Sequence, residues 1–338
     1  MTTSHSPDTG VSTLARKTLS VIVPCFNEEQ VISTTHGEIV KNLSKVDDLR
    51  LEIVYVDDGS GDKTLEILRS LAENETSVDV VIVSLTRNFG HQPAITAGLE
   101  RCSGDVVVVI DADLQDPPEV VVEMLDLWRH GYDVVNAVRT KRKEGFFLKI
   151  AYFAFYRLYN RMASVDVQVD AGDFCLMDRR VVDQLNRLPE RNRFVRGLRS
   201  WIGFKQTTHS YERRARVAGE TKYPFSKLVQ LAFDGIFNFS TLPLTFVFVF
   251  GVILSLLAFA LIVFLVLVKI FGIVVFGNHP DDIPGYYSTI STVLLFSGIQ
   301  LVSLGIIGEY IGRIYLEVKN RPTYVAYEDK DTKLDSTK

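Results

Sequence analysis

Two long runs of uncharged residues constrain this chain more than any other feature. Residues 241–268 contain no Asp, Glu, Lys or Arg over 28 positions, and residues 286–308 contain none over 23. A helix needs ~20 apolar residues to cross a bilayer, so both runs are long enough. The first run is dense in Leu, Val, Phe and Ile, whereas the second also carries Ser, Thr and Gln, with a buried soluble helix as the alternative. We predict transmembrane helices over residues 241–268 and 286–310.

The charges beside these runs predict their orientation. Basic residues flank the outer ends of the two runs: Lys222, Lys227, Arg313, Lys319 and Arg321. The loop that connects the runs has Lys269 at its edge and otherwise carries only the acidic residues Asp281 and Asp282. Because cytoplasmic segments of membrane proteins carry an excess of Lys and Arg, both outer ends are expected in the cytoplasm. The sequence therefore predicts a multi-pass protein whose N-terminal domain and tail (311–338) share that side.

The N-terminal part alternates between strand and helix patterns. After a polar lead (1–17), which we expect to be disordered, apolar strand segments alternate with amphipathic segments and polar turns; the strands are expected at 19–23, 51–56, 78–85, 106–110 and 133–138. This alternation predicts an α/β domain (18–222) with a mostly parallel sheet flanked by helices. No GxGxxG and no GxxxxGK[ST] sequence occurs, which argues against the dinucleotide and P-loop versions of the architecture.

Two further segments have an aromatic and basic character. Residues 146–163 combine Phe and Tyr with Lys and Arg, and residues 223–240 are similar and lead directly into the first uncharged run. Such helices often lie in a membrane interface, so we expect an interfacial helix and a juxtamembrane helix there. For residues 146–163, an ordinary helix facing a protein core fits the pattern equally well.

A short acidic stretch follows the strand expected at 106–110. Asp111, Asp113 and Gln115 are spaced two residues apart, so they would point to one side of the chain if it stays extended there. Carboxylate and amide oxygens suit Mg²⁺ or Mn²⁺ carrying a diphosphate. In open α/β sheets, ligands bind at the carboxyl ends of the strands. A solvated acidic turn before Pro117 is the alternative interpretation.

Charge and cysteine content narrow the class of protein. The net charge of −4 gives no reason to expect a nucleic-acid partner, although residues 187–227 hold eleven Lys and Arg against three Asp and Glu. Such a basic segment suits phosphate groups or anionic lipid headgroups. The three cysteines are widely separated, which predicts reduced thiols in a cytosolic compartment.

Four ordered motifs carry a family resemblance. Residues 20–29 (SVIVPCFNEE), 56–60 (VDDGS), 87–90 (RNFG) and 111–119 (DADLQDPPE) resemble the family 2 glycosyltransferases of GT-A fold, and most of all the polyisoprenyl-phosphate glycosyltransferases of bactoprenol type. The resemblance covers about residues 18–320. It implies a Rossmann-like GT-A domain that moves one hexose, with inversion, from a nucleotide diphosphate sugar to a polyprenyl phosphate. The expected place is the cytoplasmic face of the bacterial inner membrane, in cell-envelope glycosylation, and relatives suggest a homo-oligomer, a tetramer.

The resemblance also implies roles for individual residues. Those expected at the nucleotide are Pro24, Phe26, Glu28, Asp57, Asp58 and Asp111, with Arg139 at the donor diphosphate. Asp113 and Gln115 are the expected ligands of Mg²⁺ or Mn²⁺, which makes Asp113 essential for catalysis. Asp173 is expected beside the acceptor, as a proton acceptor or an orienting group, and Arg193, Arg196 and Lys222 at the acceptor phosphate. Helix capping, loop shaping, solvated charges and binding to lipid headgroups are the ordinary alternatives for these residues.

Several functions stay open at this point. UDP-glucose is the best expectation for the donor, and a GDP-mannose-dependent dolichol- or polyprenyl-phosphate mannose synthase is the alternative. A processive synthase usually carries a QxxRW-type motif, and here Arg199-Ser200-Trp201 lacks that Gln. A non-catalytic membrane scaffold would not need the acidic stretch. A transporter is disfavoured because the two uncharged runs contain no intramembrane charge pair.

Overall fold

The computed structural model describes residues 16–46, 48–139, 171–191, 193–212, 242–271 and 285–327. The chain divides into two compact units. The first unit contains the α/β domain and the segment after Pro322, and the second contains two long helices. The expected interfacial helix at 146–163, the juxtamembrane helix at 223–240 and Lys222 lie outside the described residues, as does nearly all of the lead.

The first unit is built on a seven-stranded sheet with the spatial order β3-β2-β1-β4-β6-β5-β7. Its strands are β1 (Lys17–Cys25), β2 (Leu49–Asp57), β3 (Asp79–Ser84), β4 (Val106–Val109), β5 (Val134–Arg139), β6 (Ala171–Asp178) and β7 (Gln206–Tyr211). Its helices are α1 (Ile32–Leu43), α2 (Thr64–Asn74), α3 (His91–Arg101), α4 (Glu119–Arg129), α5 (Arg179–Arg187) and α6 (Val195–Trp201). Strand β6 runs antiparallel to both of its neighbours, and the other described pairings are parallel.

The mostly parallel sheet predicted from the sequence is confirmed, and its central strands explain why. The consecutive valines of β4 are buried on both faces, and β1 and β2 end in long buried runs. A strand covered by helices on both faces needs such continuous apolar sequence rather than alternation. Helix α3 packs so closely that a Cβ at Gly98 would lie 2.3 Å from the Ile22 side chain. Glycine is therefore needed where α3 crosses β1.

One edge of the sheet collects the polar residues that follow the strands. In the strand register Cys25 lies opposite Asp57, and Asp57 lies opposite Ser84, so β1, β2 and β3 end side by side. The antiparallel β6 begins at the same edge, because Ala171 pairs with the end of β5 at Val138. The topology thus brings residues of β6 to the ends of strands that precede it in sequence by many tens of positions.

The segment after residue 322 returns to the first unit. Ala326 forms an antiparallel bridge with Leu85, and the Tyr327 N–H donates to the Ser84 carbonyl over 2.9 Å. The Tyr324 hydroxyl donates to Glu100 over 2.7 Å. Strand β3 lies at the border of the sheet, where unpaired backbone groups invite pairing with other chains. The C-terminal segment thus protects the end of this strand.

The second unit contains α7 (Leu242–Phe271) and α8 (Gly285–Val318). Among the described helices, the stretch Leu295–Val318 is long and apolar enough to cross a membrane, whereas the uniformly apolar part found in α7 is shorter, Leu244–Leu254. None of the Leu295–Val318 window is buried within the protein. A helix that exposes Leu301 and Val302 by about two thirds of their surface is unlike the core helix of a soluble domain.

Candidate active site

The turn after β2 holds the loop after β3. Asp58 is buried, and its carboxylate accepts the backbone N–H groups of Phe89 at 2.7 Å and Gly90 at 2.9 Å. Burial raises the pKa of Asp58, and these two hydrogen bonds lower it in part. Asp57 closes β2 and accepts the Ser60 N–H over 3.3 Å, and burial raises its pKa as well. The expectation that both carboxylates read a nucleotide stays a prediction.

Gly59 allows this arrangement. Its φ is +67°, and a Cβ there would lie 2.4 Å from the carbonyl carbon of Arg87. Only glycine combines that backbone conformation with such a close approach of two loops. The Asp-Asp-Gly sequence is therefore required by the contact between the β2 and β3 exits, whatever else its carboxylates do.

The exit of β1 presents an aromatic side chain. Pro24 is paired inside β1 opposite Val56, and Phe26 just beyond the strand is 40% exposed. The Asn27 N–H donates to the Ser60 Oγ, and the Glu28 N–H donates to the Thr64 Oγ1 over 2.8 Å. The loops after β1 and β2 are thus tied together, and they leave an exposed ring beside Asp57 and Asp58.

The acidic stretch after β4 turns rather than staying extended. Leu114 has a φ of +56°, and the Gln115 N–H donates to the Asp113 Oδ1 over 3.1 Å. Asp111, Asp113 and Gln115 were expected to point to one side only if the chain stayed extended. The backbone is not extended here, so that condition is not met. The turn itself places the Asp113 carboxylate against the backbone of Gln115.

Negative charge is concentrated at this point. Burial raises the pKa of Asp111 to about 6, and the nearby carboxylates of Asp116, Asp173 and Asp113 add to the rise against the opposing effect of His91. A divalent cation would relieve such crowding, and the oxygen donors suit Mg²⁺ or Mn²⁺. Within the described residues, no group of three or more His, Cys, Asp or Glu side chains is placed to hold a metal ion by itself. The donor set fits a cation that a substrate diphosphate helps to coordinate.

Arg139 closes the end of β5 and faces this acidic region. Its Nε donates to the Tyr211 hydroxyl over 3.2 Å, and its Nη2 lies 3.7 Å from the buried carboxylate of Asp116. The Tyr211 hydroxyl in turn donates to Asp116. Burial opposes the charged form of Arg139, yet the Tyr211 bond and the Asp116 charge raise its pKa overall. The guanidinium is thus fixed in direction and remains partly exposed.

Asp173 on β6 is the most heavily bonded carboxylate at this edge. Arg196 donates to both of its oxygens at 2.8 Å, His91 lies 3.2 Å from Oδ2, and the Gln92 amide lies 3.4 Å from Oδ1. Burial raises the pKa of Asp173, but Arg196 and His91 outweigh it and hold the pKa well below its usual range. A carboxylate held in this way is a strong orienting group and a weak proton acceptor.

His91 links this cluster to the acidic stretch. Its Nε2 also lies 3.8 Å from the Asp111 Oδ1. Burial by itself lowers the pKa of His91. The carboxylates of Asp173 and Asp111 have the larger effect and raise the pKa to about 9. The ring is therefore an imidazolium at neutral pH, and it sits between two carboxylates that come from different strands.

The two arginines predicted at the acceptor phosphate are placed differently. Arg196 belongs to the Asp173 cluster, whereas Arg193 is almost fully buried, donates to the Leu185 carbonyl and lies 3.8 Å from Glu100. Glu100 is in the last turn of α3, whereas the Asp173 cluster contacts the first turn of that helix at Gln92. At ~1.5 Å per residue, Gln92 and Glu100 are roughly 12 Å apart along the helix axis. The structure therefore brings Asp111, Asp173 and Arg196 together and places Arg193 elsewhere.

Four residues of this site were missed from the sequence: His91, Gln92, Asp116 and Tyr211. His91 and Gln92 directly follow the RNFG motif, and Asp116 lies inside the acidic stretch, so the rule that ligands bind at strand ends could have found them. Tyr211 ends a strand that the sequence did not predict, and no signal pointed to it.

The fold and the site together define a class of protein. It is an α/β enzyme that gathers carboxylates, arginines and an exposed aromatic ring at the carboxyl edge of a mostly parallel sheet, the place where such folds bind phosphorylated ligands. Comparison with known proteins gives the family.

The chain belongs to glycosyl transferase family 2, whose family model matches residues 20–185. An uncharacterized glycosyltransferase of Bacillus subtilis, YkcC, is 48% identical over 90% of this chain and 92% of its own length. The SfII prophage-derived bactoprenol glucosyl transferase of Shigella flexneri is 40% identical over 91% of this chain and 96% of its own. Among solved structures, a glucosyl-3-phosphoglycerate synthase from Mycobacterium tuberculosis in complex with Mn²⁺, UDP and phosphoglyceric acid is 22% identical in sequence. The match covers 65% of this chain and 76% of the length of that chain, with a TM-score of 0.44.

Proposed function

We propose that this glycosyltransferase moves one hexose, glucose from UDP-glucose, to a polyprenyl phosphate at the cytoplasmic face of the membrane. The observation that carries the proposal is the Arg196–Asp173–His91 cluster directly beside Asp111, in a chain that has a bilayer-length apolar helix. The full-length relatives named bactoprenol glucosyl transferase support the lipid acceptor and the sugar.

The donor occupies the ends of β1, β2 and β4. Phe26 stacks on the base, while Pro24, Glu28, Asp57 and Asp58 shape the pocket for base and ribose. Asp113 and Gln115, with Asp111 nearby, would hold a divalent cation, which when bound would supply charge stabilisation at the donor diphosphate. Arg139, held in direction by Tyr211, contacts the same diphosphate.

The acceptor phosphate binds on the opposite side of Asp111, next to Arg196. One of its oxygens attacks the anomeric carbon, the bond from that carbon to the diphosphate oxygen breaks, and the nucleotide diphosphate departs with the electron pair. The acceptor is already an anion at neutral pH, so no strong base is required. Asp173, with its lowered pKa, orients Arg196 rather than removing a proton.

We propose that α7 and α8 cross the bilayer as a two-helix hairpin, so that both outer ends lie in the cytoplasm. Single cysteines introduced in the loop between the helices are expected to react with an impermeant maleimide from the periplasmic side only. Labelling from the cytoplasmic side would contradict the hairpin.

The function is tested with the full chain in lipid nanodiscs that contain undecaprenyl phosphate. UDP-glucose, UDP-N-acetylglucosamine and GDP-mannose are each supplied with Mg²⁺, Mn²⁺ or EDTA, and sugar recovered in the organic phase is measured. We expect glycolipid from UDP-glucose with a divalent cation and none with EDTA or in Asp113→Ala. Transfer from GDP-mannose alone would identify a mannose synthase, and no lipid product from any donor would refute the proposed function.

A further inference from the structure

The loop between β3 and α3 connects the two sides of the site. Its last two residues, Phe89 and Gly90, donate their backbone N–H groups to the Asp58 carboxylate. The next two residues, His91 and Gln92, reach Asp173 on β6. Four consecutive residues, 89–92, therefore connect the turn expected at the nucleotide with the Asp173 carboxylate that Arg196 contacts.

Gln92 uses both ends of its amide in this chain. Its Nε2 donates to the Asp173 Oδ1 over 3.4 Å, and its Oε1 accepts the Val195 N–H over 2.9 Å. Val195 is the first residue of α6, and Arg196 is the second. One side chain thus fixes both the carboxylate that Arg196 grips and the backbone from which Arg196 projects.

The geometry of this double contact determines what it can do. The Arg196 guanidinium must meet Asp173 with two parallel bonds of 2.8 Å, which requires the start of α6 and β6 to keep a fixed separation. Val195 itself is buried, so a loss of the Gln92 bond would leave a buried N–H without this partner. Nothing in the bonding of Gln92 involves Asp113 or Arg139, the residues assigned to the donor side.

We propose that Gln92 is a positioning residue for the acceptor phosphate, acting through Arg196. The inference rests on the proposed function and adds to it a residue that contacts neither the sugar nor the metal. It predicts that Gln92 affects the use of the lipid acceptor and leaves the use of the nucleotide sugar unchanged.

The test is a double-mutant cycle on the full chain in nanodiscs. Gln92→Leu keeps the size of the side chain and removes both bonds, Arg196→Lys removes the fork, and Gln184→Leu on the exposed face of α5 is the matched control. We expect Gln92→Leu to raise KM for undecaprenyl phosphate about tenfold, with KM for the donor within about twofold of wild type. In the Arg196→Lys background, Gln92→Leu should cause less than about a twofold further change, because residues that act as a unit are not additive. Gln184→Leu should behave as wild type.

A readout without turnover separates this inference from the proposed function. Amide hydrogen exchange at Val195 and Arg196 is expected to be at least about tenfold faster in Gln92→Leu than in the control, with a fall in melting temperature no larger than the loss of this one buried bond gives. Additive losses in the cycle, an equal rise in both KM values, or unchanged exchange at Val195 would overturn the positioning role. Absence of transfer in the wild type would refute the proposed function alone, and the exchange measurement would still decide the contact.

Discussion

Arg193 and Arg196 show how far neighbouring side chains can differ in role. They are three residues apart in one basic run, and the sequence offered no means to separate them. The structure gives Arg193 a buried place beside Glu100 and Arg196 a partly exposed place on Asp173. Their difference comes from which end of α3 each side chain reaches, which only the assembled fold determines.

This difference can be measured with two conservative variants. Arg196→Lys cannot form the two-point contact with Asp173, so we expect kcat/KM for the acceptor to fall by roughly tenfold or more while the melting temperature stays near wild type. Arg193→Met is expected to destabilise the first unit by ~1–3 kcal/mol, because it removes the charged hydrogen bond to the Leu185 carbonyl and the contact with Glu100. Thermal unfolding and acceptor kinetics on both variants check the assignment. A stable, inactive Arg193→Met would instead place Arg193 at the phosphate.

Gly59 gives a second prediction at this scale. Gly59→Ala should cost more than ~2 kcal/mol, because φ is +67° and the new Cβ would overlap the backbone at Arg87. Gly61→Ala, where a Cβ meets nothing within 4 Å, is the matched control and should be close to neutral. Urea unfolding of the two variants compares them directly. Equal stabilities would mean that the two loops do not approach as closely as described.

Individual elements were predicted unevenly. The first five strands were expected close to their observed positions, with helices between them, because each strand is a strongly apolar segment. Strands β6 and β7 were not predicted. The antiparallel course of β6 is what carries Asp173 to His91, 82 positions earlier in the chain. Side-chain pairings across such distances depend on topology, which local sequence patterns do not encode. The turn at Leu114 is similar, since leucine rarely adopts a positive φ.

Helix α5 offers a prediction about pH and stability. Asp178 caps it by accepting the Arg180 N–H over 3.0 Å, and it also accepts the Trp128 Nε1–H over 2.9 Å. Burial raises the pKa of Asp178, but these bonds lower it overall, so the folded pKa lies below the unfolded one. The stabilisation is thus complete above about pH 4 and is lost as the pH falls through the lower folded value.

The measurement compares wild type with Asp178→Asn by urea unfolding over a range of pH. At pH 7 the variant should be less stable by about 1 kcal/mol, because a neutral amide makes weaker hydrogen bonds than a carboxylate. The gap should narrow as the pH is lowered below about 4, because the wild-type carboxyl also becomes neutral. A gap that stays constant down to the lowest pH at which the protein folds would show that the charge of Asp178 contributes nothing.

The C-terminal segment gives a further prediction about an element. Tyr327→Pro removes the N–H that donates to Ser84 at the end of β3. We expect faster amide exchange in β3 and the following loop, with little change in α5 on the other side of the unit. Unchanged exchange in β3 would mean that the segment does not protect this strand.

At the scale of the whole molecule, the chain joins an α/β domain to a unit that contains two long apolar helices. The sequence predicted both parts separately: alternating strands and helices for the first, uncharged runs for the second. It could not predict that residues beyond the last long helix return to cover β3. The segment that follows α8 in the sequence is therefore hydrogen-bonded to the end of β3 and the start of the β3–α3 loop. The contacts of this segment with β3 are backbone hydrogen bonds, which depend little on the side chains and are therefore hard to predict from the sequence.

The central claim is that a lipid phosphate, and not water, attacks the anomeric carbon of the donor. UDP-glucose labelled with ¹³C at that carbon, incubated with the full chain, Mn²⁺ and undecaprenyl phosphate, is followed by ¹³C and ³¹P NMR. The account predicts that the labelled carbon becomes coupled to the single phosphorus of the lipid, with inverted anomeric configuration. Labelled free glucose, or a lipid product with retained configuration, would contradict it.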